Sequence, residues 1–212
     1  RFHLPSTYSP EYGSASDCNF DLSLLKWGCK TLLEADSILG KNDSLRSRWK
    51  DVYARLADFP SDPDEGWMIG RNRPYDMSHR HYSHLLMAYP LYLVNRDQPG
   101  GKEMIVKSVN HWQSIKGALE GYSRTGAASL YASVGEGDKA LAYLEEFMQK
   151  SMQPNTCYQE GGNPVIETPL SGARALLDMA LQSWGGKIRI FPAIPGIWRD
   201  FAFDNLLAEG AF

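Results

Sequence analysis

The sequence predicts a mainly α chain, an α/α toroid present in part, with β-structure beginning at its C-terminal end. Three observations predict it. Apolar residues recur at helical spacing over most of the chain. The period switches to strict alternation only near Lys187. Between the helical segments, short turns alternate with long polar and aromatic connections.

The helical segments follow in order. From about Asp17 to Leu39, Phe20, Leu24, Trp27, Leu32 and Ile38 fall at near-helical spacing, and Gly40 supplies a stop. From about Ser44 to Ala57, Leu45, Trp49, Val52, Tyr53 and Leu56 form one stripe, ended by Pro60. A third helix is expected from about Ser83 into the mid-90s, kinked at Pro90. The fourth covers about Lys102 to Ile115. The fifth, about Tyr122 to Val134, carries Gly126, Ala127, Ala128 and Ser129, so it should approach a neighbour closely. The sixth, about Asp138 to Met152, places Ala140, Leu141, Leu144, Phe147 and Met148 on one side. The seventh runs from about Leu170 to Trp184 and closes at Gly185-Gly186. Ile188 and Ile190 then alternate with Lys187 and Arg189 as in a strand, and Phe201, Phe203 and Phe212 suggest more β-structure.

Helices one and two, three and four, and five and six are joined by short turns. The segments at 1–16, about 58–82, 116–121 and 153–169 are longer. Antiparallel hairpins with short turns at one end leave the long loops at the other. Glu11, Trp67, His79, His81, Gln159, Glu160 and Glu167 are therefore expected on one rim. Seven helices make slightly more than half of a twelve-helix ring. An open solenoid would need a repeated consensus, and the sequence has none.

Composition narrows the function classes. A net charge of −3, spread over both signs, gives no reason to expect nucleic acid or an acidic membrane surface as partner. No apolar run approaches the ~18 residues of a membrane span. Cys18, Cys29 and Cys157 lack metal-like spacing and define no redox compartment. The 6 Trp and 11 Tyr, many beside glycine or in loops, match the usage of proteins that stack on sugar rings. The chain starts at Arg1 without Met or a signal peptide and stops at Phe212 within an apparent strand, which suggests a fragment of a longer protein or a mature chain.

The densest chemistry lies in His79-Arg80-His81-Tyr82-Ser83-His84-Leu85. Three imidazoles, a guanidinium and two hydroxyls would be costly to bury without partners. A sugar- or anion-binding pocket is the leading reading. His79, His81 and His84 also offer three nitrogen ligands for zinc, but no Glu stands between the last two, as the helical zinc motif requires. A solvated helix start is the plain alternative.

Cleaving a glycosidic bond needs one protonated and one ionised carboxyl group. Glu11, between Tyr8 and Tyr12, is the first candidate, since an apolar surround raises a carboxyl pKa; an exposed turn glutamate is the alternative. Glu167 precedes a helix, where it could equally serve the helix dipole. Glu160, beside Gly161-Gly162, is the third.

These residues resemble a known family. Leu4-Pro5-Ser6-Thr7-Tyr8-Ser9-Pro10-Glu11, the His79–Leu85 run, Gly121-Tyr122-Ser123, Met179-Ala180-Leu181-Gln182-Ser183 and Ile190-Phe191-Pro192-Ala193-Ile194-Pro195 occur in the order and spacing of glycoside hydrolase family 95. That family contains inverting α-L-fucosidases and α-L-galactosidases. The resemblance implies residues 1–186 as the second half of an (α/α)6-barrel catalytic domain and 187–212 as the start of a C-terminal β-sandwich. It implies Glu11 as general acid and places His79, Arg80, His81 and His84 around the sugar. Apart from the resemblance, Trp67 is expected to help hold the ring, and Glu160 to bind a ligand that its neighbouring glycines let come close. The resemblance implies no cofactor or metal, an oligosaccharide or polysaccharide substrate, and a secreted or periplasmic location. Where the family has Ile-Asp-Gly-Asn-Phe-Gly, whose Asp serves the water-activating apparatus, this chain has Ile166-Glu167-Thr168-Pro169-Leu170-Ser171-Gly172. Glu167 falls on that Asp with one more methylene. The family's water-activating asparagines lie upstream of Arg1, so residues 1–212 alone are expected to be inactive. In the inverting reading Glu11 and Glu167 should lie about 6.5–9.5 Å apart. A carbohydrate-binding or catalytically degenerate relative is the alternative function, marked by the Glu-Thr-Pro loop. A lyase or phosphorylase would want clustered arginines, for which Arg71 and Arg73 near Arg80 are the one hint.

Overall fold

The computed structural model describes residues 1–210. It is mainly helical, with six α-helices among the described residues. Contacts divide it into two compact units, one formed by residues 1–76 and 83–94, the other by 77–82 and 95 onward.

The first unit opens with a hairpin of β1 (Thr7–Ser9) and β2 (Gly13–Ala15), in which Thr7 faces Ala15 and Ser9 faces Gly13. Helix α1 (Asn19–Leu39) has Asp21 in its first turn and ends on Gly40 in the left-handed conformation, whose N–H bonds the Asp36 carbonyl. Helix α2 (Arg46–Arg55) returns after a short turn that Asp36 organises. The Asp36 carboxylate accepts from the Asp43 N–H at 2.8 Å and from Arg46 at 2.5 Å. Strands β3 (Ser61–Asp62) and β4 (Gly66–Trp67) form a second hairpin.

One small core cluster of this unit is Leu22, Leu56 and Ala57, with Phe2, Leu4, Val52 and Phe59 packed against it. The apolar stripe expected along the first helix is not the buried one: Leu24, Trp27, Leu32 and Ile38 are exposed, Ile38 by 83%. No residue of α2 is buried.

The expected third helix does not form. Ser83–Leu85 is a single 3-10 turn and the chain continues through turns to Val94. The reason lies at Pro90: proline removes a helical N–H and drives the residue before it out of the α region. Leu85, Met87, Ala88 and Tyr89 are nevertheless buried, so this apolar run serves as core without helix.

The second unit holds α3 (Gly101–Ser114), α4 (Gly121–Ser133), α5 (Gly137–Lys150) and α6 (Glu167–Ala180). Helix α4 packs against α3, α5 and α6, and it is buried from Thr125 through Ser133. Its small residues permit this. A Cβ on Gly126 would lie 2.4 Å from the Tyr82 ring. A capping box starts the helix: Ser123 Oγ accepts the Glu120 N–H at 3.1 Å while the Glu120 side chain accepts the Ser123 N–H.

The seventh expected helix ends early. Helix α6 stops at Ala180, and Leu181–Trp184 is β7, paired antiparallel with β8 (Lys187–Ile190). Gly185 (φ 64°) and Gly186 (φ 69°) are its two-residue hairpin turn, not a helix stop. From Phe191 to Gly210 the expected further β-structure is absent: the described chain is irregular, with Phe201 and Phe203 packed edge-on against Phe191. Phe212 lies outside the described residues.

Candidate active site

In the first unit Glu11 sits at the tip of the β1–β2 hairpin, closed by the Tyr12 N–H bonding the Ser9 carbonyl at 3.0 Å. Its φ is +56°, a left-handed conformation that side chains other than Gly, Asn and Asp seldom adopt. Glu11 is exposed. The apolar surround expected from its neighbours is half present, since Tyr12 is buried but Tyr8 is 63% exposed.

Tyr12 anchors the loop. Its hydroxyl donates to Asp76 Oδ1 at 3.1 Å and accepts the Asp76 N–H at 2.7 Å. Its ring lies 5.2 Å from Tyr75, which in turn stacks on His84 at 4.5 Å. His84 is 1% exposed, so this imidazole packs behind the loop and presents nothing to solvent, unlike the sugar contact expected of it. Ser9 and Ser83 hydroxyls join the same anchoring at 3.0 Å. Trp67, expected to hold a ring, is buried in β4 opposite Ser61.

The arginines that hinted at an anion clamp are otherwise engaged. Arg71 pairs with the buried Asp17 at 3.4 Å, and the Arg73 guanidinium lies over the Tyr12 ring at 5.8 Å. Asp17 also receives His3 at 2.7 Å and the Leu4 N–H at 2.6 Å. Burial pushes its carboxyl pKa up, but these partners together hold it below the usual range.

In the second unit Met77–Tyr82 forms a strap without regular structure, held from beneath. The Trp112 indole N–H donates to the His79 carbonyl at 2.9 Å, and Ser123 Oγ donates to the Arg80 carbonyl at 3.0 Å. The Ala118 N–H bonds Ser78 Oγ at 2.8 Å. His79, Arg80 and His81 are half-buried. The His81 N–H donates to His79 Nδ1 at 3.0 Å, which makes Nδ1 an acceptor and leaves Nε2 to carry the proton of the neutral ring. The two imidazoles meet edge to face at 5.1 Å, and His81 meets Tyr122 the same way at 5.5 Å. Tyr82 fills the Gly126 notch between Trp112 and Tyr122.

Arg80 and Glu160 are brought together, with Nε to Oε1 at 2.7 Å. The Tyr158 hydroxyl donates to Glu160 Oε2 at 3.1 Å and accepts the Gly121 N–H at 3.0 Å. Burial, with the nearby Glu160 charge, pushes the Tyr158 phenol up to about 12. Glu160 ends β5 (Gln159–Glu160), joined through Gly161-Gly162 to β6 (Asn163–Pro164). Glu167 is exposed in the first turn of α6, which begins there and not at Leu170 as expected. Pro169 falls within that first turn, where its missing N–H costs little.

Sequence reasoning passed over Tyr158, Trp112 and Asp76, whose roles rest on contacts distant along the chain. Tyr122 and Ser123 carried a signal in the Gly121-Tyr122-Ser123 motif.

A helical domain with a polar strap of imidazoles and a guanidinium accords with what comparison shows: residues 3–168 match the catalytic domain of a glycoside hydrolase. The matching description is glycosyl hydrolase family 95 catalytic domain, and the chain belongs to that family. No curated protein matches it. The polar strap is therefore part of a carbohydrate-processing domain. No helix of the described residues is long and apolar enough to cross a membrane.

Proposed function

We propose that this family member is an inverting exo-glycosidase that releases terminal α-L-fucose or α-L-galactose from glycans. The family match over residues 3–168 carries the reading. Glu11 is the general acid, protonating the departing glycosidic oxygen. Its left-handed φ in a loop where glycine would be cheaper supports this, because backbone strain of this kind concentrates at functional positions. The strap imidazoles His79 and His81, with Arg80, bind sugar hydroxyls. His84 and Trp67, both buried, act by holding their loops. Glu167 takes the water-directed role. The helices belong to an (α/α)6 ring and β7–β8 to the start of a C-terminal β-sandwich. The exposed apolar faces of α1 (Leu24, Trp27, Ile38) and α6 (Leu170, Leu177) support this, being surfaces that further packing would cover. The protein acts outside the cytoplasm, secreted or periplasmic.

A second reading, a carbohydrate-binding relative without turnover, is favoured by one observation. Glu167 stands in the first turn of α6, where a carboxylate serves the helix N-terminus whether or not it activates water. The test uses a chain that carries residues 1–212 together with the upstream asparagines the resemblance calls for. Aryl α-L-fucoside and α-L-galactoside are assayed for turnover, with the first-formed anomer read by proton NMR and L-fucose binding by calorimetry. Turnover with an inverted product supports the glycosidase, and binding without turnover supports the second reading. Turnover with retention overturns both.

A further inference from the structure

We propose that Tyr158 and Glu160 are a positioning pair that holds Arg80, and through it the His79–His81 strap, in place; the sugar that the strap receives rests on the reading above. The strap has no strand or helix of its own. Its backbone is tied by Trp112 at the His79 carbonyl and Ser123 at the Arg80 carbonyl, both donors belonging to helices α3 and α4. These bonds fix where the carbonyls lie. They leave a long arginine side chain with several rotatable bonds above them.

The Glu160 carboxylate restrains that side chain. Its two oxygens are divided between two partners, Oε1 taking Arg80 Nε at 2.7 Å and Oε2 taking the Tyr158 hydroxyl at 3.1 Å. A carboxylate held at both oxygens has little freedom to turn, and so holds the Arg80 Nε bonded to it. Tyr158 is itself 3% exposed and fixed at its far end, because its oxygen accepts the Gly121 N–H at the start of α4. Burial pushes this phenol up to about 12, so it remains a donor to the carboxylate at ordinary pH. Its seat requires glycine: a Cβ at position 121 would fall 2.8 Å from the Tyr158 ring and 3.0 Å from Phe147. The chain of contacts therefore runs from the rigid start of α4, through a buried phenol and a carboxylate, to the guanidinium of the strap. On this arrangement Glu160 acts on the sugar through Arg80, a different role from the direct contact expected of it.

The strap carries its own reporter, since the Trp112 indole N–H is bonded to the His79 carbonyl and its ring is 0% exposed. Hydrogen exchange at that indole, followed by NMR, reads how often the strap lifts without requiring a substrate. Glu160→Gln and Tyr158→Phe should each speed that exchange by about tenfold or more, while amides within α4 exchange as before, the pattern of local opening. Both should weaken L-fucose binding by a comparable factor. Cys157→Ser, an exposed neighbour, should change neither. Unchanged indole exchange in both variants overturns the proposal. So does an equal rise across the indole and the α4 amides, which would mean loss of general stability and no positioning. If the indole exchange rises but L-fucose binds neither wild type nor variant, the positioning pair stands and the choice of sugar falls.

Discussion

Replacing Gly126 by alanine tests whether the strap is seated as tightly as the distances indicate. A Cβ built there would lie 2.4 Å from Tyr82 Cε1, 2.8 Å from Cδ1 and 3.3 Å from the Trp112 ring. Non-bonded carbons rest near 3.5–4.0 Å, so the Tyr82 ring has to retreat by about 1 Å. It has little room, being 7% exposed with Trp112 and Tyr122 on its flanks. Overpacking of this size costs about 1–3 kcal/mol. Alanine returns about 0.5–1 kcal/mol through lower backbone entropy in the unfolded chain, because Gly126 has ordinary helical geometry. The net runs from about zero to a destabilisation of about 2.5 kcal/mol, or up to roughly 10 °C in melting temperature at this chain length. Gly28→Ala is the matched control: it lies inside α1 with nothing within 4 Å of the added carbon, and it should gain stability by about 0.5–1 kcal/mol. Paired thermal and urea unfolding, with near-ultraviolet circular dichroism to follow the Tyr82–Trp112 contact, decides the matter. If both alanines stabilise equally, the notch is not tight and the seating of the strap has to be abandoned.

Asp17→Asn should cost about 1.5–3 kcal/mol at pH 7, the worth of hydrogen bonds to a buried charge; asparagine tolerates the native φ of 48°, so the cost reports the lost charge and acceptor and not backbone strain. Because the native carboxyl is held below its unfolded value of about 3.9, its contribution is present above that pH and lost as pH falls through the folded value. The two melting curves should therefore converge in acid, and a gap independent of pH would refute the assignment. Thr168 is 0% exposed and its hydroxyl has no partner among the described residues, so Thr168→Val should be neutral or stabilising by up to about 1 kcal/mol in urea unfolding. A clear loss of stability would reveal a partner. Glu11→Gln, in a chain that turns over, should lower activity on natural glycans by about 100-fold or more and on aryl glycosides much less. Equal losses would remove Glu11 from the acid's role.

The first helix was legible from its stop at Gly40, and α5, read from its apolar side alone, ends at Lys150, two residues short of the Met152 expected. Two failures share a cause, which is that helical spacing persists through segments the backbone cannot form as helix. Leu85 and Tyr89, four residues apart, keep the spacing, yet Pro90 denies it. Leu177, Leu181 and Trp184 keep it too, while Gly185-Gly186 between Leu181–Trp184 and Lys187–Ile190 carries the signature of a two-residue hairpin. That signal was present in the sequence and outweighed by period. The site was legible as a list of residue types, since His79, Arg80 and Glu160 stood out by chemistry alone. Which of them hold and which are held was not, because it depends on Tyr158 reaching Gly121 and Trp112 reaching His79 across dozens of residues.

Helix α4 has a consequence for how the family's sequences can drift. Most of its residues face a neighbour at close range, from Gly126 against Tyr82 to Thr125 against the Gly172 position. Enlarging any of them pushes on a different partner, so a single compensating change elsewhere restores only one contact. In a saturation mutagenesis screen this helix should form a band of intolerance as deep as that over the strap, although most of its side chains carry no chemistry. Sites ranked by intolerance alone would then mistake a spine for a catalytic centre, and the two separate only when the permitted replacements are compared by size and by charge.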